Sequence, residues 1–339
     1  MRRPNLSPRT VRNSRKEAER FLFWIRTRGV TLQTVAYEDL VAYAAFLADP
    51  QPAEQWTRAE RYARTDARWR PFCGPLSEAS QVQALTVLKG LFSWARAAEY
   101  LGANPATLLG SMRVVSDEPV SRFLPPAAIS LLLAAADSLQ ADTPAAALRQ
   151  ARARFIVQAF YLTAVRLSEL AGADMRSLRR DDAGAWWLHV LGKGRRRGKV
   201  PAPPALLAEY RRYRQAYGLA PMPLPGEVMP LVLTSRGPVR RASHSAVASA
   251  VIVVMKRAIA MATERGEVEL AERIGQASTH WLRHSSLTHQ VDSGVPLKTV
   301  QKNGRHADIS TTGRYLHKED ATRHAETVAA ITITPLPAA

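Results

Sequence analysis

The stretch from Val114 to Pro126 limits everything around it. Ser116, Asp117, Glu118, Pro119 and the adjacent Pro125 and Pro126 favour extended backbone, and each proline lacks the amide donor that a continuous helix would need. Helical periodicity lies on both sides, so the chain predicts two separately folded parts. A length of 339 residues agrees, since it exceeds the usual size of one domain and leaves each part enough chain to bury a core.

The expected division is a helical domain over residues 1–112, a linker over 113–126 and a larger domain over 127–339. In the first part Val11, Ala18, Phe21, Leu22 and Ile25 recur at helical spacing and predict an amphipathic helix over Thr10–Arg28, basic on its polar side and ended by Gly29. Further helices are predicted over Tyr37–Ala48 and Ser80–Tyr100, with a shorter one inside the charged, Trp-bearing stretch Gln51–Pro75. Beyond the linker, Ala127–Ala136, Ala146–Leu162, Ser243–Thr263 and His280–Ser293 read as helices. Trp186–Leu191 and Lys199–Ala202 read as strands around a turn rich in Gly, Lys and Arg, and Leu231–Thr234 as a short strand. The fold class is therefore mainly α: a helical domain, then an α+β domain with a small β-sheet.

Forty-seven basic against 29 acidic residues give a formal charge of +18, which predicts a polyanionic partner, nucleic acid ahead of an anionic membrane surface. No uninterrupted apolar run reads as a membrane span, and Met1–Arg20 lacks the apolar core of a signal peptide, so a cytoplasmic location is expected. Cys73 is the only cysteine and has no internal disulfide partner. His284, His289, His317 and His324 have no carboxylate or Cys set at ligand spacing, which argues against a metal site.

Chemistry concentrates in a few short segments. Arg166 lies among Val165, Leu167 and Leu170, apolar neighbours that would bury the segment around a charge in need of an acceptor; Glu169, one helical turn later, is the candidate. His280 and Arg283 are three apart and share a face if Trp281 onward is helical. Lys193 sits in the turn between the two predicted strands, where an ammonium group can reach a leaving oxygen. Tyr315 follows His306, and its phenol, with an ordinary pKa of about 10, needs nearby cations or a base to act as a nucleophile. Two arginines, a lysine, two histidines and a phenol are suited to breaking a phosphodiester without a metal.

In this order and combination the residues resemble the tyrosine recombinases, also called the phage-integrase family, over essentially the whole chain. Thr163–Leu170 is similar to the family's arginine box and supplies Arg166, Lys193 matches the hairpin lysine, and His280 with Arg283 matches the His-x-x-Arg box. His306 stands at the later His or Trp position, and Ser310–Tyr315 is similar to the segment with the nucleophile. Two departures stand out: Ala164 where the family usually has Gly, and Gly304, Arg305, His306 where it usually has Leu, Gly, His.

The resemblance implies a DNA breaking-rejoining fold with an N-terminal core-binding domain and a catalytic domain. It implies attack by Tyr315 on a DNA phosphate, a 3′-phosphotyrosyl link, a 5′-hydroxyl protonated by Lys193, charge stabilisation by Arg166, Arg283 and His306, and proton removal by His280. No cofactor or metal is implied. The implied partner is double-stranded DNA, bound by a homo-tetramer on synapsed sites, with the tail Ala325–Ala339 packing on a neighbouring protomer; no accessory protein is named. Two other functions fit the same residues less well: a catalytically silent DNA-architectural protein and a tyrosine-type topoisomerase. Arg195, Arg196, Arg197, Arg211, Arg212, Arg214, Arg240 and Arg241 read as phosphate contacts or solvated charges, and Trp186, Trp187 and Trp281 as core.

Overall fold

In a computed structural model of the chain, residues 8–110, 122–192 and 196–305 are described. The chain divides into two compact units, Met1–Asp117 and Glu118–Ala339.

The first unit holds α1 (Pro8–Thr27), α2 (Tyr37–Ala48), the single turn α3 (Ala53–Trp56) and α4 (Glu78–Ala97). Its core is aromatic: Phe21 of α1 meets Tyr43 of α2 edge-on at 5.0 Å and Phe92 of α4 at 5.8 Å. Asp39 caps α2 by accepting the Ala36 amide at 3.0 Å. On the polar side of α1, the Arg20 guanidinium lies 4.3 Å from the Phe72 ring centroid and donates to the Pro71 carbonyl at 2.8 Å. Nearby Arg12, Arg15, Arg58, Arg61, Phe23 and Trp69 line a shallow hollow that is both basic and aromatic. Cys73 is an exposed free thiol.

The second unit contains α5 (Pro126–Asp137), α6 (Pro144–Thr163), α7 (Leu167–Gly172), a 3-10 turn at Met175–Ser177, β1 (Leu178–Arg180), β2 (Trp186–Leu191), β3 (Arg197–Pro201), α8 (Pro204–Ala216), α9 (His244–Glu264), α10 (Val268–Gly275), α11 (Thr279–Asp292) and α12 (Leu297–Gly304). Local chemistry fixes the helix starts. Pro126, Pro144 and Pro204 open α5, α6 and α8, where a missing amide costs nothing, and the Thr143 and Ser243 hydroxyls accept from Ala146 and Ala246 to cap α6 and α9. Helix α6 buries Phe155, Ile156, Val157, Ala159 and Phe160 and packs against α5, α8, α9 and α11.

The sheet is antiparallel in the order β1-β2-β3. Leu178, Leu188 and Val200 stand in register across its three strands and are all buried, with Val190 beside them on the same face. Strand β3 begins two residues earlier than Lys199, because the Gly192 amide donates to the Arg196 carbonyl at 2.8 Å and the ladder extends toward the turn. The strand expected at Leu231–Thr234 is absent. Its amides donate to Ala173 and Arg240 carbonyls and to the Tyr213 hydroxyl, leaving only isolated bridges in place of a ladder.

Helix α9 is long and apolar enough, by length and composition, to cross a membrane, unlike the expectation from the sequence. Its face of Val247, Ala250, Val251, Val254, Met255, Ala258 and Ala262 is buried in the core of the unit, the position of an ordinary central helix. Arg214 is not a phosphate contact or a solvated charge. Its side chain is fully buried, donating to both Glu227 oxygens at 2.6 and 2.9 Å and to the Ala220 carbonyl, which ties α8 to the chain that follows it. Arg241 is likewise structural, donating to the Ala171 and Ala173 carbonyls and to Asp174. Trp281 is core, whereas Trp186 and Trp187 are half-buried, the latter donating to Asp181 at 2.7 Å under the Lys199 ammonium.

Candidate functional site

Helix α6 ends at Thr163, and the next residue, Ala164, turns the chain with φ +49°. That left-handed backbone reverses direction so that Val165 is buried and Arg166 becomes the N-cap of α7. Glu169, at the third position of α7, reaches back to accept the Arg166 amide at 2.7 Å through Oε2 and the Arg166 Nη1 at 3.0 Å through Oε1. The carboxylate side chain is 0 % exposed and that of Arg166 is 37 % exposed, so a buried anion holds a cation whose outer edge stays in solvent. This is the role the sequence assigned to Glu169.

A second guanidinium shares the same carboxylate. Arg305 Nη2 donates to Glu169 Oε2, and Arg305 is itself in left-handed backbone with φ +51°, closing the C-terminus of α12. Burial pulls its pKa down, opposed by the charge of Glu169. From the sequence Arg305 is a departure from the family pattern beside His306, with nothing along the chain that points to Glu169. Its partner is 136 positions away, and the eight-residue helix that carries it has too little periodicity to be recognised.

The two departures from the family pattern thus share one property. Ala164 and Arg305 both occupy positive-φ positions, the conformation that explains why glycine is usual at each.

Helix α11 supplies the other described groups. Arg283 is 2 % exposed, and its Nη1 and Nη2 donate to the carbonyls of Ala164 and Gly304, fastening the end of α6 to the end of α12. His280, one turn earlier, keeps an exposed surface and stacks edge-on against His284 at 4.3 Å. Crowding by protein atoms, then the charges of Arg283 and Arg166, pulls its imidazole below the usual 6.5, which favours the neutral ring, the form able to accept a proton. Arg166, His280 and Arg283 are therefore brought to one locality by a left-handed turn, a buried carboxylate and two carbonyls.

Lys193, His306 and Tyr315 lie outside the described residues. Their described neighbours are informative: a Cβ on Gly192 would stand 3.3 Å from Glu169 Oε1, and one on Gly198 would stand 2.8 Å from Arg305 Cδ. Gly192, at the β2 end of the turn, and Arg305, the residue before His306, are thus beside the carboxylate that holds Arg166, while Gly198 in β3 lies against Arg305.

A profile of the phage integrase family matches residues 122–322. The chain is 30 % identical to the tyrosine recombinase XerC of Xylella fastidiosa (strain M23) over 248 residues, covering 71 % of each chain. It is 29 % identical to the tyrosine recombinase XerD of Neisseria meningitidis serogroup B over 238 residues, covering 70 % of this chain and 72 % of that one. Among solved structures, the Tn1549 transposon integrase in complex with circular intermediate DNA superposes with a TM-score of 0.60 at 19 % identity, covering 96 % of this chain and 95 % of that one. The XerH site-specific recombinase bound to palindromic difH substrate superposes with a TM-score of 0.59 at 17 % identity, covering 93 % and 76 %. These likenesses show a shared fold.

Proposed function

Since the chain belongs to the phage integrase family and is a tyrosine recombinase, we propose that Tyr315 is its nucleophile and that Arg166, Lys193, His280, Arg283 and His306 complete the centre that cleaves and rejoins duplex DNA. The Tyr315 phenol oxygen bonds to the scissile phosphorus, its proton passes to His280, and the bond from phosphorus to the 5′ oxygen breaks as Lys193 protonates that oxygen. The product is a 3′-phosphotyrosyl link and a free 5′-hydroxyl. The ester conserves the energy of the phosphodiester, so the reverse attack by another 5′-hydroxyl reseals the strand without an external energy source.

The observation that carries this reading is the convergence of Arg166, His280 and Arg283, with Arg166 held on a buried carboxylate and still open to solvent on its outer side. A guanidinium fixed before substrate arrives can stabilise the additional charge of a pentacoordinate phosphorane without reorganising, and loss of one such donor costs on the order of 100-fold in rate. The environment of His280, which favours its neutral form, supports its assignment as the proton acceptor. Residues 1–112 act as the core-binding domain, their basic, aromatic hollow facing phosphates, and 113–126 links them to the catalytic domain. The active assembly is a homo-tetramer on synapsed sites, and the reaction takes place in the cytoplasm.

Nicked suicide duplexes tiled from the DNA that flanks the coding sequence test the reading. The wild-type chain is expected to form a covalent adduct that survives denaturant, and Tyr315→Phe is expected to form none. An adduct with the Phe variant removes Tyr315 as the nucleophile.

A further inference from the structure

Arg305 combines three features that a surface cation does not need. It holds left-handed backbone at a position where glycine is the easy choice, its side chain is only 14 % exposed, and its buried Nε has no hydrogen-bond partner among the described residues. Unfavourable features that accumulate on one residue point to a function that keeps it there. Its contacts indicate which function. Arg305 Nη2 and the Arg166 amide both donate to Glu169 Oε2, while Arg166 Nη1 takes Oε1, so one buried carboxylate is clasped by two guanidinium groups. The aliphatic stem of Arg305 lies over Gly198 so closely that a Cβ there would have to displace it, which seats the residue on the root of the hairpin that carries Lys193.

We propose that Arg305 is a positioning residue that, through its shared carboxylate and its seat on Gly198, locks Arg166 in the orientation used to hold the scissile phosphate. The proposal rests on the assignment of Arg166 to that phosphate. Without Arg305, Glu169 Oε2 keeps only the backbone amide, the carboxylate can rotate about its side-chain torsions, and Arg166 rotates with it. Two guanidinium groups on one carboxylate also leave a net positive charge at the locality, so the lock does not neutralise the clamp that it orients.

Two readouts on the full chain test this. The first needs no DNA: in protein with isotope-labelled arginine, the Arg166 guanidinium resonances, assigned by their loss in Arg166→Lys, are compared between the wild type and Arg305→Gly. Restricted rotation in the wild type and fast averaging in Arg305→Gly are expected. The second is single-turnover adduct formation on the suicide duplex, where Arg305→Gly is expected to be about 10–100-fold slower with DNA affinity unchanged, as follows from a small misplacement of a reacting group. Arg305→Lys, which keeps the charge, is expected to recover part of the rate. An Arg166 signal equally restricted in Arg305→Gly overturns the proposal, as does an unchanged rate. If the wild type forms no adduct at all, the functional reading fails, and the resonance comparison still decides whether Arg305 positions Arg166.

Discussion

Arg283 offers a test in which folding and chemistry give different answers for two arginines of one site. The residue is 2 % exposed, and its guanidinium donates to the carbonyls of Ala164 and Gly304. Arg283→Met fills similar volume but takes from both carbonyls the donor that they have among the described residues. A stranded buried acceptor costs about 1–3 kcal/mol, so two cost roughly 2–6 kcal/mol. In a domain of this size each kcal/mol moves the melting midpoint by about 2–4 °C, which predicts a fall on the order of 10 °C. Arg166→Met removes a side chain that is 37 % exposed and strands only Glu169 Oε1, while Oε2 keeps Arg305 and the backbone amide of residue 166. A shift under about half as large is expected there, although both variants should lose adduct formation. Thermal denaturation followed by tryptophan fluorescence, run in parallel on the two variants, makes the comparison. If Arg283→Met melts within about 2 °C of the wild type, Arg283 is not the fastening described above.

A depressed His280 pKa means that the unfolded chain binds this proton before the folded one does, so folded stability should fall as pH drops below about 6.5 toward the folded-state value and recover as pH rises. His280→Gln should flatten part of that dependence in urea midpoints taken between pH 5 and 7, and an unchanged slope would assign it to other groups. Gly198→Ala should destabilise the wild type by about 1 kcal/mol by displacing Arg305, yet be nearly neutral in an Arg305→Gly background; full additivity in the double-mutant cycle would mean that the two do not touch. Binding of the intact chain to duplex DNA should weaken steeply with salt, and a nearly flat log-log slope in a titration would be at odds with a phosphate-dominated interface. Deleting residues from Ala330 onward should weaken tetramer assembly on DNA more than monomer binding in gel-shift titrations; equal loss of both would remove the tail from the protomer contact.

Much of this fold was legible because most of its long helices announce themselves, although the thirteen-residue α8 was not read from the sequence. Tyr37–Ala48 carries apolar residues in a pattern that ends at Asp49 and Pro50, and its observed bounds agree with the reading. Trp186–Leu191 was equally clear as a strand, flanked by turn residues and rich in aromatic and branched side chains. The short helices α7, α10 and α12 escaped because six to eight residues complete about two turns, too few to establish a period. At the site, Arg166 with Glu169 was readable since the pair is three residues apart. The clasp of Glu169 by Arg305, and the burial of Arg214 on Glu227, depend on tertiary placement, which spacing along the chain does not encode. Arg241 shows the same limit, because donation to the Ala171 and Ala173 carbonyls looks from the sequence like any other surface cation.

The double duty of Arg283 also bears on how decayed relatives of this chain should be judged. A copy that no longer cuts DNA but is still expressed would keep this arginine, because losing it would expose the protein to proteolysis before any question of activity arose. Its presence in a gene survey is therefore a mark of an intact scaffold. Erosion of competence should be sought first at the more solvent-facing Arg166, where replacement leaves the scaffold largely standing and silences only the reaction.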